Sequence, residues 1–332
     1  MKAVVAMGRG GVEVLELREV SLPWPAGSGD VLVRLRAAAI NPADVYFRQA
    51  GGYVERPGPF ILGHDGAGIV EAVGSEVADV VPGDRVCFCY GGIGATYGTY
   101  AEYAVVPADV LAVIPSRVDF VTAAALPLVF ITLAESLYDR ADVQSGEFTL
   151  IHAGAGGTGH IGVQLASLRG ARVATTVSNA RKSALAMDLG AERVISYRDQ
   201  DFAHAAMDWT RAQGVDVAFD NVGAEVMRRT FEVMAPYGRV VTLTGTPGDT
   251  SQSDAYNANL TIHNVMMLTP MWRGLPERLR AQARHVRRGL ALLAEGKLRV
   301  IVDRIFTLHE AAAAHAYLES GNAIGKIALS MV

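Results

Sequence analysis

The chain has 332 residues, with 30 Lys and Arg against 34 Asp and Glu, and half of its residues are apolar. This length predicts about two domains of ~150 residues, each large enough to bury its own core. The net charge of −4 gives no electrostatic reason to expect a nucleic-acid partner. Two cysteines, Cys87 and Cys89, cannot supply a disulfide framework, which predicts a cytoplasmic protein.

No apolar run reaches the ~18 residues that a membrane span needs, and the first residues lack the pattern of a secretion signal, so no membrane partner is expected. Glycine is unusually abundant: it makes up 35 of the 332 residues, which is more than its usual share of ~7%. The positions of these glycines organise the chain.

Short strands separated by turns are predicted for the first 120 residues. Residues 30–37 alternate between apolar and polar side chains, as a half-buried strand does. Further strand-like runs are 68–73, 84–88 and 100–106, with Gly and Pro between them. This part is predicted to be mainly β.

The pattern changes near residue 122, where strands begin to alternate with helices. An Ala- and Leu-rich helix is predicted over 123–140. The strands predicted next are 148–153, 172–176, 194–196, 215–220, 239–243 and 262–268, with helices at 156–169 and 180–189. Such alternation predicts a parallel, doubly wound sheet. The chain closes with a helix (281–294), a strand (299–301), a helix (311–318) and a strand (326–331).

A cofactor site is indicated by Gly154, Gly156 and Gly159, which form G-x-G-x-x-G directly after a predicted strand. We expect the first glycine to permit the tight turn, the second to let a pyrophosphate approach the backbone, and the third to let helix pack on strand. The amides at the start of the following helix then meet the phosphates. The pattern predicts a dinucleotide site, the alternative being a glycine-rich turn that serves the packing of helix on strand alone.

The end of the second strand of this βαβ unit distinguishes between nucleotides. A carboxylate there would bind the ribose hydroxyls of NAD, but residues 175–179 contain no acid, and Arg181 and Lys182 follow. A hydroxyl with nearby cations suits a 2′-phosphate, so NADP(H) is favoured over NAD(H). The alternative is that both cations belong to the solvated start of a helix.

Four motifs carry a family resemblance: residues 63–74, 83–86, 98–103 and 325–327. Over nearly its whole length the chain resembles the medium-chain dehydrogenase/reductase superfamily, and within it the zinc-independent quinone oxidoreductase (zeta-crystallin-like) branch. The resemblance implies a discontinuous GroES-like, mainly β catalytic domain (1–123 and 269–332). An inserted Rossmann domain (124–268) binds the nucleotide, and residues 261–268 are expected to pair across the twofold axis of a homodimer.

The resemblance also implies the residues that hold NADP(H). Ser178, Lys182 and Tyr197 match positions that bind the 2′-phosphate, and Asn221, Leu243 and Gly245 lie in segments that line the nicotinamide. The full set of expected cofactor residues is Gly154, Gly156, Gly157, Thr158, Gly159, Ser178, Lys182, Tyr197, Asn221, Leu243, Gly245 and Lys326.

No metal site is expected. In zinc-dependent members of the superfamily the early ligand is a cysteine, but Asn41 stands at that position, and residues 126–129 offer no later ligand. A single histidine, His64, does not make a catalytic zinc site, which needs three protein ligands. A glycine-rich loop, 91–98, takes the place of the structural zinc lobe.

His64 has two interpretations: a residual histidine bonded to Asp65 or Asp44, or a polar group that faces substrate. Cys87 and Cys89 are predicted to be small buried apolar residues.

The predicted activity is hydride transfer from NADPH to an electrophilic small molecule, either a quinone or the C=C bond of an α,β-unsaturated carbonyl. Candidate donors to the substrate oxygen are Asn41, Tyr46, Tyr53, His64 and Tyr97, with Asn41 the strongest. Two alternatives are a metal-dependent alcohol dehydrogenase and a non-enzymatic, crystallin-like nucleotide-binding protein.

Overall fold

The chain divides into two compact units in the computed structural model, which describes residues 1–25, 27–51, 59–92, 97–246 and 254–331. Unit 1 consists of Met1–Ile131 and Leu268–Val332, and unit 2 of Thr132–Met267. Unit 2 is therefore an insertion in the sequence of unit 1. Within the described ranges, no helix combines the length and the apolar character that crossing a bilayer requires.

The strands are numbered along the chain. They are β1 (Lys2–Ala6), β2 (Leu15–Glu19), β3 (Asp30–Ile40), β4 (Phe60–Ile61), β5 (Asp65–Val73), β6 (Arg85–Cys89), β7 (Tyr103–Pro107), β8 (Ala112–Val113), β9 (Phe148–Ile151), β10 (Arg172–Val177), β11 (Arg193–Ser196), β12 (Val215–Asp220), β13 (Met234–Thr242), β14 (Thr261–Asn264), β15 (Val302–Thr307) and β16 (Lys326–Ser330).

The α-helices are numbered in the same way. They are α1 (Pro42–Ala50), α2 (Phe120–Ala124), α3 (Pro127–Leu133), α4 (Gly159–Leu168), α5 (Ala180–Asp188), α6 (Phe202–Trp209), α7 (Ala224–Phe231), α8 (Asp254–Asn257), α9 (Thr269–Arg273), α10 (Pro276–Ala294) and α11 (Ala311–Glu319). A π-helical segment covers Ala134–Arg140, and short 3-10 turns cover Val12–Val14, Ala108–Val110 and Leu308–Glu310.

Unit 1 is built around β3, which pairs with β5, β7 and β16 in a seven-stranded, mostly antiparallel sheet. The inward-facing Val31, Val33 and Leu35 pack with Phe88 in one apolar core, as their alternation predicts. A second sheet has the order β2-β1-β4. Because β16 pairs antiparallel with the end of β3, the start of β16 at Lys326 lies beside the residues that follow Ile40.

Unit 2 is a six-stranded parallel sheet in the order β11-β10-β9-β12-β13-β14, which is the doubly wound arrangement that the sequence predicts. Leu150, Ala218 and Val240 belong to its buried core, together with Phe231 of α7. The strand order reverses between β9 and β12. Ligands of such sheets bind in the crevice outside the carboxyl ends of the strands at this point.

The predicted fold class, a GroES-like β domain with a Rossmann-type insertion, is confirmed, but some elements differ from the predictions. The helix expected over 123–140 is broken, because Pro127 lacks the amide hydrogen that would continue α2 and instead begins α3. The strand expected over 262–268 ends at Asn264. Helix α1 was not predicted, although Asn41, Pro42 and Asp44 are typical of a helix start.

Candidate active site and cofactor site

The turn after β9 brings two segments of backbone unusually close together. A Cβ on Gly154 would lie 1.9 Å from Oγ1 of Thr175, and one on Gly159 would lie 2.2 Å from the carbonyl oxygen of Ala153. The left-handed residue of the turn is Ala153, with φ of 52°. Gly154 is therefore required for close approach to β10, and the tight turn that we attributed to it is made one residue earlier. A Cβ on Gly156 would meet that carbonyl at a looser 3.2 Å.

Gly157 and Thr158 complete the turn, and α4 begins at Gly159. Residues 156–158 are half-buried, while the residues on both sides are buried. The first amides of a helix have no intrahelical partner, and the helix dipole favours an anion beside them. A turn without bulky side chains at the start of a helix fits a pyrophosphate group.

Buried polar side chains beneath this turn hold its conformation. Oγ1 of Thr176 accepts a hydrogen bond from the backbone N–H of Ala153 at 3.0 Å and lies 3.2 Å from Nδ1 of His152. Nε2 of His152 lies 2.9 Å from Oγ1 of Thr230. Burial lowers the pKa of His152 to about 4, so the ring is neutral at neutral pH. Sequence reasoning missed this support, for which the signal is a histidine at the end of an apolar strand.

The residues predicted to hold a 2′-phosphate follow neighbouring strands of unit 2. β10 and β11 are parallel and end level with each other, so Ser178 and Tyr197 leave the sheet at the same edge. The backbone N–H of Tyr197 donates to the carbonyl of Val177 at 3.2 Å. Lys182 lies in the first turn of α5, and residues 175–187 contain no acid. Ser178, Lys182 and Tyr197 thus all follow strands that end at this edge of the sheet.

Asp220 ties together the turns that follow β12 and β13. Its buried carboxylate accepts hydrogen bonds from the backbone N–H groups of Val222 at 3.2 Å and Gly223 at 3.0 Å. It also accepts from the hydroxyls of Thr242 and Thr244, both at 3.3 Å. The two turns are therefore fixed relative to each other at the carboxyl edge of the sheet.

These two turns carry Asn221, Leu243 and Gly245, the residues predicted to lie near the nicotinamide. Oδ1 of Asn221 is buried and has no hydrogen-bond partner among the described residues. Gly245 adopts φ of 85°, with open space where a Cβ would be. A buried amide oxygen without a donor fits a ligand that brings an N–H group, as the nicotinamide carboxamide does.

In unit 1, local rules place the predicted site residue Asn41, and with it Asp44, at the start of α1. The backbone N–H of Asn41 donates to Oδ2 of Asp44 at 2.8 Å, and Pro42 occupies the first helical position. Proline suits that position because its missing N–H would have no partner there. Asn41 and Asp44 are both fully buried.

The amide of Asn41 lies between two buried charges. Its Nδ2 donates to Oδ2 of Asp65 at 3.0 Å, and its Oδ1 accepts a hydrogen bond from Nζ of Lys326. Nζ also donates to the carbonyl of Ile40 at 3.3 Å and lies 3.6 Å from Oδ2 of Asp65. Burial lowers the pKa of Lys326 and raises the pKa of Asp65.

The ammonium group of Lys326 supports Asn41. The acceptors around it in the described structure, Ile40, Asn41 and Asp65, all belong to unit 1. Its predicted contact with the cofactor stays a prediction.

His64 bonds Asp44, which decides between the two carboxylates that the sequence left open. Its Nδ1 lies 2.5 Å from Oδ1 of Asp44, and both side chains are fully buried. Although burial favours the neutral acid, the charge and hydrogen bond of His64 lower the pKa of Asp44 below its usual value. Nε2 of His64 is buried without a hydrogen-bond partner among the described residues.

The candidate tyrosines, unlike Asn41 and His64, are not part of the buried polar cluster around Asp44 in the described structure. Tyr46 lies in α1 with 46% of its surface exposed. Tyr53 lies outside the described residues, and Tyr97 is half-buried. The structure thus brings Asn41 and His64 together through Asp44, while Tyr46 is directed toward solvent.

Sequence reasoning missed three further buried polar residues beside Asp44: Arg48, Tyr100 and His315. Arg48 and His315 are in contact although 267 residues separate them in the chain. No local pattern signals such a pair. The signal for Asp44 was its place three residues after Asn41 at a helix start.

Cys87 and Cys89 are buried in β6 and form no disulfide, as predicted. Burial raises the pKa of both thiols, which keeps them protonated. In the part of the chain that the structure describes, no three or more His, Cys, Asp or Glu side chains are grouped so as to hold a metal ion.

Comparison with known proteins agrees with this architecture. Residues 27–116 match the alcohol dehydrogenase GroES-like domain family, and residues 189–329 match the zinc-binding dehydrogenase family. A quinone oxidoreductase of Pseudomonas aeruginosa is 33% identical over 323 residues, which cover 96% of each chain. A 2-haloacrylate reductase of Burkholderia sp is 32% identical over 338 residues, with 98% of each chain covered.

Solved structures extend the similarity to the whole fold. The quinone oxidoreductase of Escherichia coli complexed with NADPH has a TM-score of 0.88 at 28% identity, covering 99% of this chain and 100% of that chain. The chain therefore belongs to the medium-chain dehydrogenase/reductase superfamily and is an oxidoreductase of that class. The predicted family is thereby confirmed.

Proposed function

We propose that the protein is an NADPH-dependent reductase that transfers hydride, without a metal, to a quinone or to the C=C bond of an α,β-unsaturated carbonyl. The observation that carries this proposal is the acid-free edge formed by Ser178, Lys182 and Tyr197 at the ends of β10 and β11. Similarity to quinone oxidoreductases, one of them complexed with NADPH, and to a 2-haloacrylate reductase supports the same reaction class.

Three sets of residues in unit 2 bind three parts of the cofactor. Residues 154–159 bind the pyrophosphate, Ser178, Lys182 and Tyr197 bind the 2′-phosphate, and the turns joined by Asp220 bind the nicotinamide end. NADPH supplies the hydride when it is bound. The residues of these turns orient NADPH at the carboxyl ends of the strands.

Unit 1 supplies the polar groups for the substrate oxygen. Quinones and enones are already electrophilic, so hydrogen-bond donors suffice where an alcohol oxidation would call for a Lewis acid. Nδ2 of Asn41 lies 3.5 Å from the carbonyl oxygen of Ala39, which is too long for a good hydrogen bond. The second N–H of this amide is therefore the one that donates to a substrate oxygen. His64, which Asp44 orients, delivers a proton to the substrate oxygen. Tyr46 and Tyr53 are further candidate donors to that oxygen.

The proposal is tested by NADPH oxidation with a benzoquinone, a naphthoquinone, an enal and an enone, with NADH in parallel. We expect turnover of at least one acceptor, faster with NADPH than with NADH, and unchanged after treatment with a chelator. Faster turnover with NADH would contradict the 2′-phosphate assignment.

Two other outcomes would favour the alternatives. Stoichiometric zinc in the purified protein, together with alcohol oxidation, would indicate a metal-dependent alcohol dehydrogenase. NADPH binding without turnover of any acceptor would indicate a crystallin-like nucleotide-binding protein.

We also propose a homodimer formed through β14. This strand is the last of the six-stranded sheet and pairs with β13 on one side. Its other edge pairs with no strand in the part of the chain that the structure describes, so it presents backbone groups that a second copy can pair with. Light scattering should then give about twice the chain mass of 35.2 kDa. A monomer at micromolar concentration would refute the dimer.

A further inference from the structure

A row of buried polar side chains in unit 1 leads from the surface of α11 to Asp44. Glu319, whose side chain is 31% exposed, accepts hydrogen bonds from both terminal nitrogens of Arg48, at 2.8 and 3.1 Å. NH1 of the fully buried Arg48 lies 3.3 Å from Nδ1 of His315. Nε2 of His315 lies 3.0 Å from the hydroxyl of Tyr100, which lies 3.2 Å from Oδ2 of Asp44.

The direction of each hydrogen bond in this row follows from Arg48. A guanidinium group has only donors, so Nδ1 of His315 must accept. Burial lowers the pKa of His315 to about 4, and the ring is therefore neutral at neutral pH, with its one hydrogen on Nε2. Nε2 donates to the oxygen of Tyr100, whose own hydrogen then points to Asp44.

Asp44 receives hydrogen bonds on both carboxylate oxygens. Oδ2 accepts from the hydroxyl of Tyr100 and from the backbone N–H of Asn41 at 2.8 Å. An ionised carboxylate has no hydrogen to give, so Nδ1 of His64, 2.5 Å from Oδ1, must carry one. Whenever the imidazole of His64 carries a single hydrogen, that hydrogen is on Nδ1 and the lone pair is on Nε2, the atom that is buried without a partner among the described residues.

We propose that Tyr100 and His315 are positioning residues: by donating toward Oδ2 of Asp44 they leave Oδ1 for His64 and fix that imidazole as its Nδ1–H tautomer. Proton exchange at His64 is thereby confined to Nε2. In the reaction proposed above, on which this role rests, Nε2 takes up a proton from solvent and passes it to the substrate oxygen, and the ring then returns to its Nδ1–H form. Arg48, held by Glu319 at the outer end of the row, sets the direction of the hydrogen bonds along it.

The test uses the full-length protein and reads the two ring nitrogens of His64 by long-range 1H–15N NMR. Asp44→Asn is the informative variant because it keeps the shape of the side chain. Tyr100 and the backbone N–H of Asn41 both donate toward the Oδ2 position, so the new carbonyl oxygen must occupy it. The new NH2 group then faces Nδ1 of His64 and forces the hydrogen onto Nε2.

We expect the Nδ1–H form in the wild type, the Nε2–H form in Asp44→Asn, and a mixture of both in the double variant Asp44→Asn/Tyr100→Phe, where one of the two directing donors is lost. Tyr103→Phe, the same change in β7 of unit 1, is the matched control and should leave the wild-type spectrum unchanged. An Nε2–H wild type, or a double variant identical to Asp44→Asn, would overturn the proposal.

Turnover provides a second readout. Tyr100→Phe should lower kcat roughly 10-fold, a fraction of what a general acid or base contributes, and leave the Kd for NADPH within about twofold. A loss in NADPH affinity instead of kcat would assign Tyr100 a structural role only. Should no acceptor be reduced at all, the proposed function fails, while the NMR experiment still decides the tautomer.

Discussion

Nζ of Lys326 lies 3.6 Å from Oδ2 of Asp65, and both side chains are buried in unit 1 on either side of the Asn41 amide. They come from β16 and the start of β5, the two strands that pair with the end of β3. Sheet pairing thus brings together charges that lie far apart in the sequence.

Breaking this pair should destabilise the protein strongly. Lys326→Met leaves Asp65 as a buried charge without its cation, and we expect the free energy of unfolding to fall by about 3–5 kcal/mol. Urea denaturation followed by circular dichroism measures this loss. Lys297→Met, which removes an exposed lysine, is the control and should change little. A similar, small effect of both substitutions would show that the buried pair does not stabilise the fold.

Asn41→Ala should affect both stability and turnover. The substitution leaves Asp65 and Lys326 each without one hydrogen-bond partner, which should cost about 1–3 kcal/mol of the free energy of unfolding. It should also lower kcat while the Kd for NADPH stays unchanged. Asn322→Ala at an exposed position controls for the loss of an amide. Wild-type kcat in Asn41→Ala would remove Asn41 from the mechanism.

The glycines of the turn after β9 should respond differently to alanine. A Cβ on Gly154 would lie 1.9 Å from Oγ1 of Thr175, whereas the closest contact at Gly156 is 3.2 Å. Gly154→Ala should therefore lower the melting temperature by several degrees, a shift that corresponds to about 1–3 kcal/mol. Gly156→Ala should keep the melting temperature and weaken NADPH binding. Equal melting temperatures of the two variants would contradict the close-approach argument.

Cofactor preference should reverse when a carboxylate is placed after β10. In Ser178→Asp the new carboxylate accepts the ribose hydroxyls of NADH and repels the 2′-phosphate of NADPH. We expect the ratio of kcat/KM values for NADPH and NADH to fall by roughly 100-fold, from about 1–3 kcal/mol at the phosphate contact. Ala184→Asp adds the same charge at an exposed position of α5 and should leave the ratio unchanged. An unaltered ratio in Ser178→Asp would place the 2′-phosphate elsewhere.

Stability should decrease as the pH falls from 6.5 to about 4. Burial lowers the pKa of both His152 and His315 from 6.5 to about 4, so in this range the unfolded chain binds protons that the folded chain does not. Each histidine then costs roughly 2 kcal/mol at pH 5, and nothing above its unfolded pKa. The melting temperature at pH 7 and pH 5 measures the effect.

A variant assigns part of this loss to one residue. His152→Gln should show a smaller decrease in melting temperature between pH 7 and pH 5 than the wild type. His204→Gln, at an exposed position, should behave like the wild type. An identical decrease in all three proteins would show that burial of His152 does not contribute.

The turn between β9 and α4, and the acid-free segment after β10, could be predicted in some detail because their signals are local. A strand, three glycines at fixed spacing and a helix occupy residues 148–168, and the absence of acid after β10 can be read directly. The prediction that Gly154 makes the tight turn was wrong. The left-handed residue is Ala153, and the need for Gly154 arises from contact with Thr175 on the neighbouring strand.

The polar cluster of unit 1 was only partly predictable. Asn41, His64 and Lys326 were named from their places in motifs, but the bonds of Asn41 to Asp65 and Lys326 were not predicted. Their mutual bonds depend on β16 pairing with β3, which local sequence does not encode. Periodicity shows that a strand forms and which face is apolar, but the choice of its partner depends on the whole sheet.

By itself, the sequence determined the alternation of elements, the glycine turn between β9 and α4, and the family, since each rests on residues close together in the chain. Only the tertiary structure decided that His64 bonds Asp44, that Lys326 supports Asn41, and that Tyr100, His315 and Arg48 form a row behind them. Buried polar groups must be paired, and a pairing across hundreds of residues is fixed only when the strands and helices that carry them pack together.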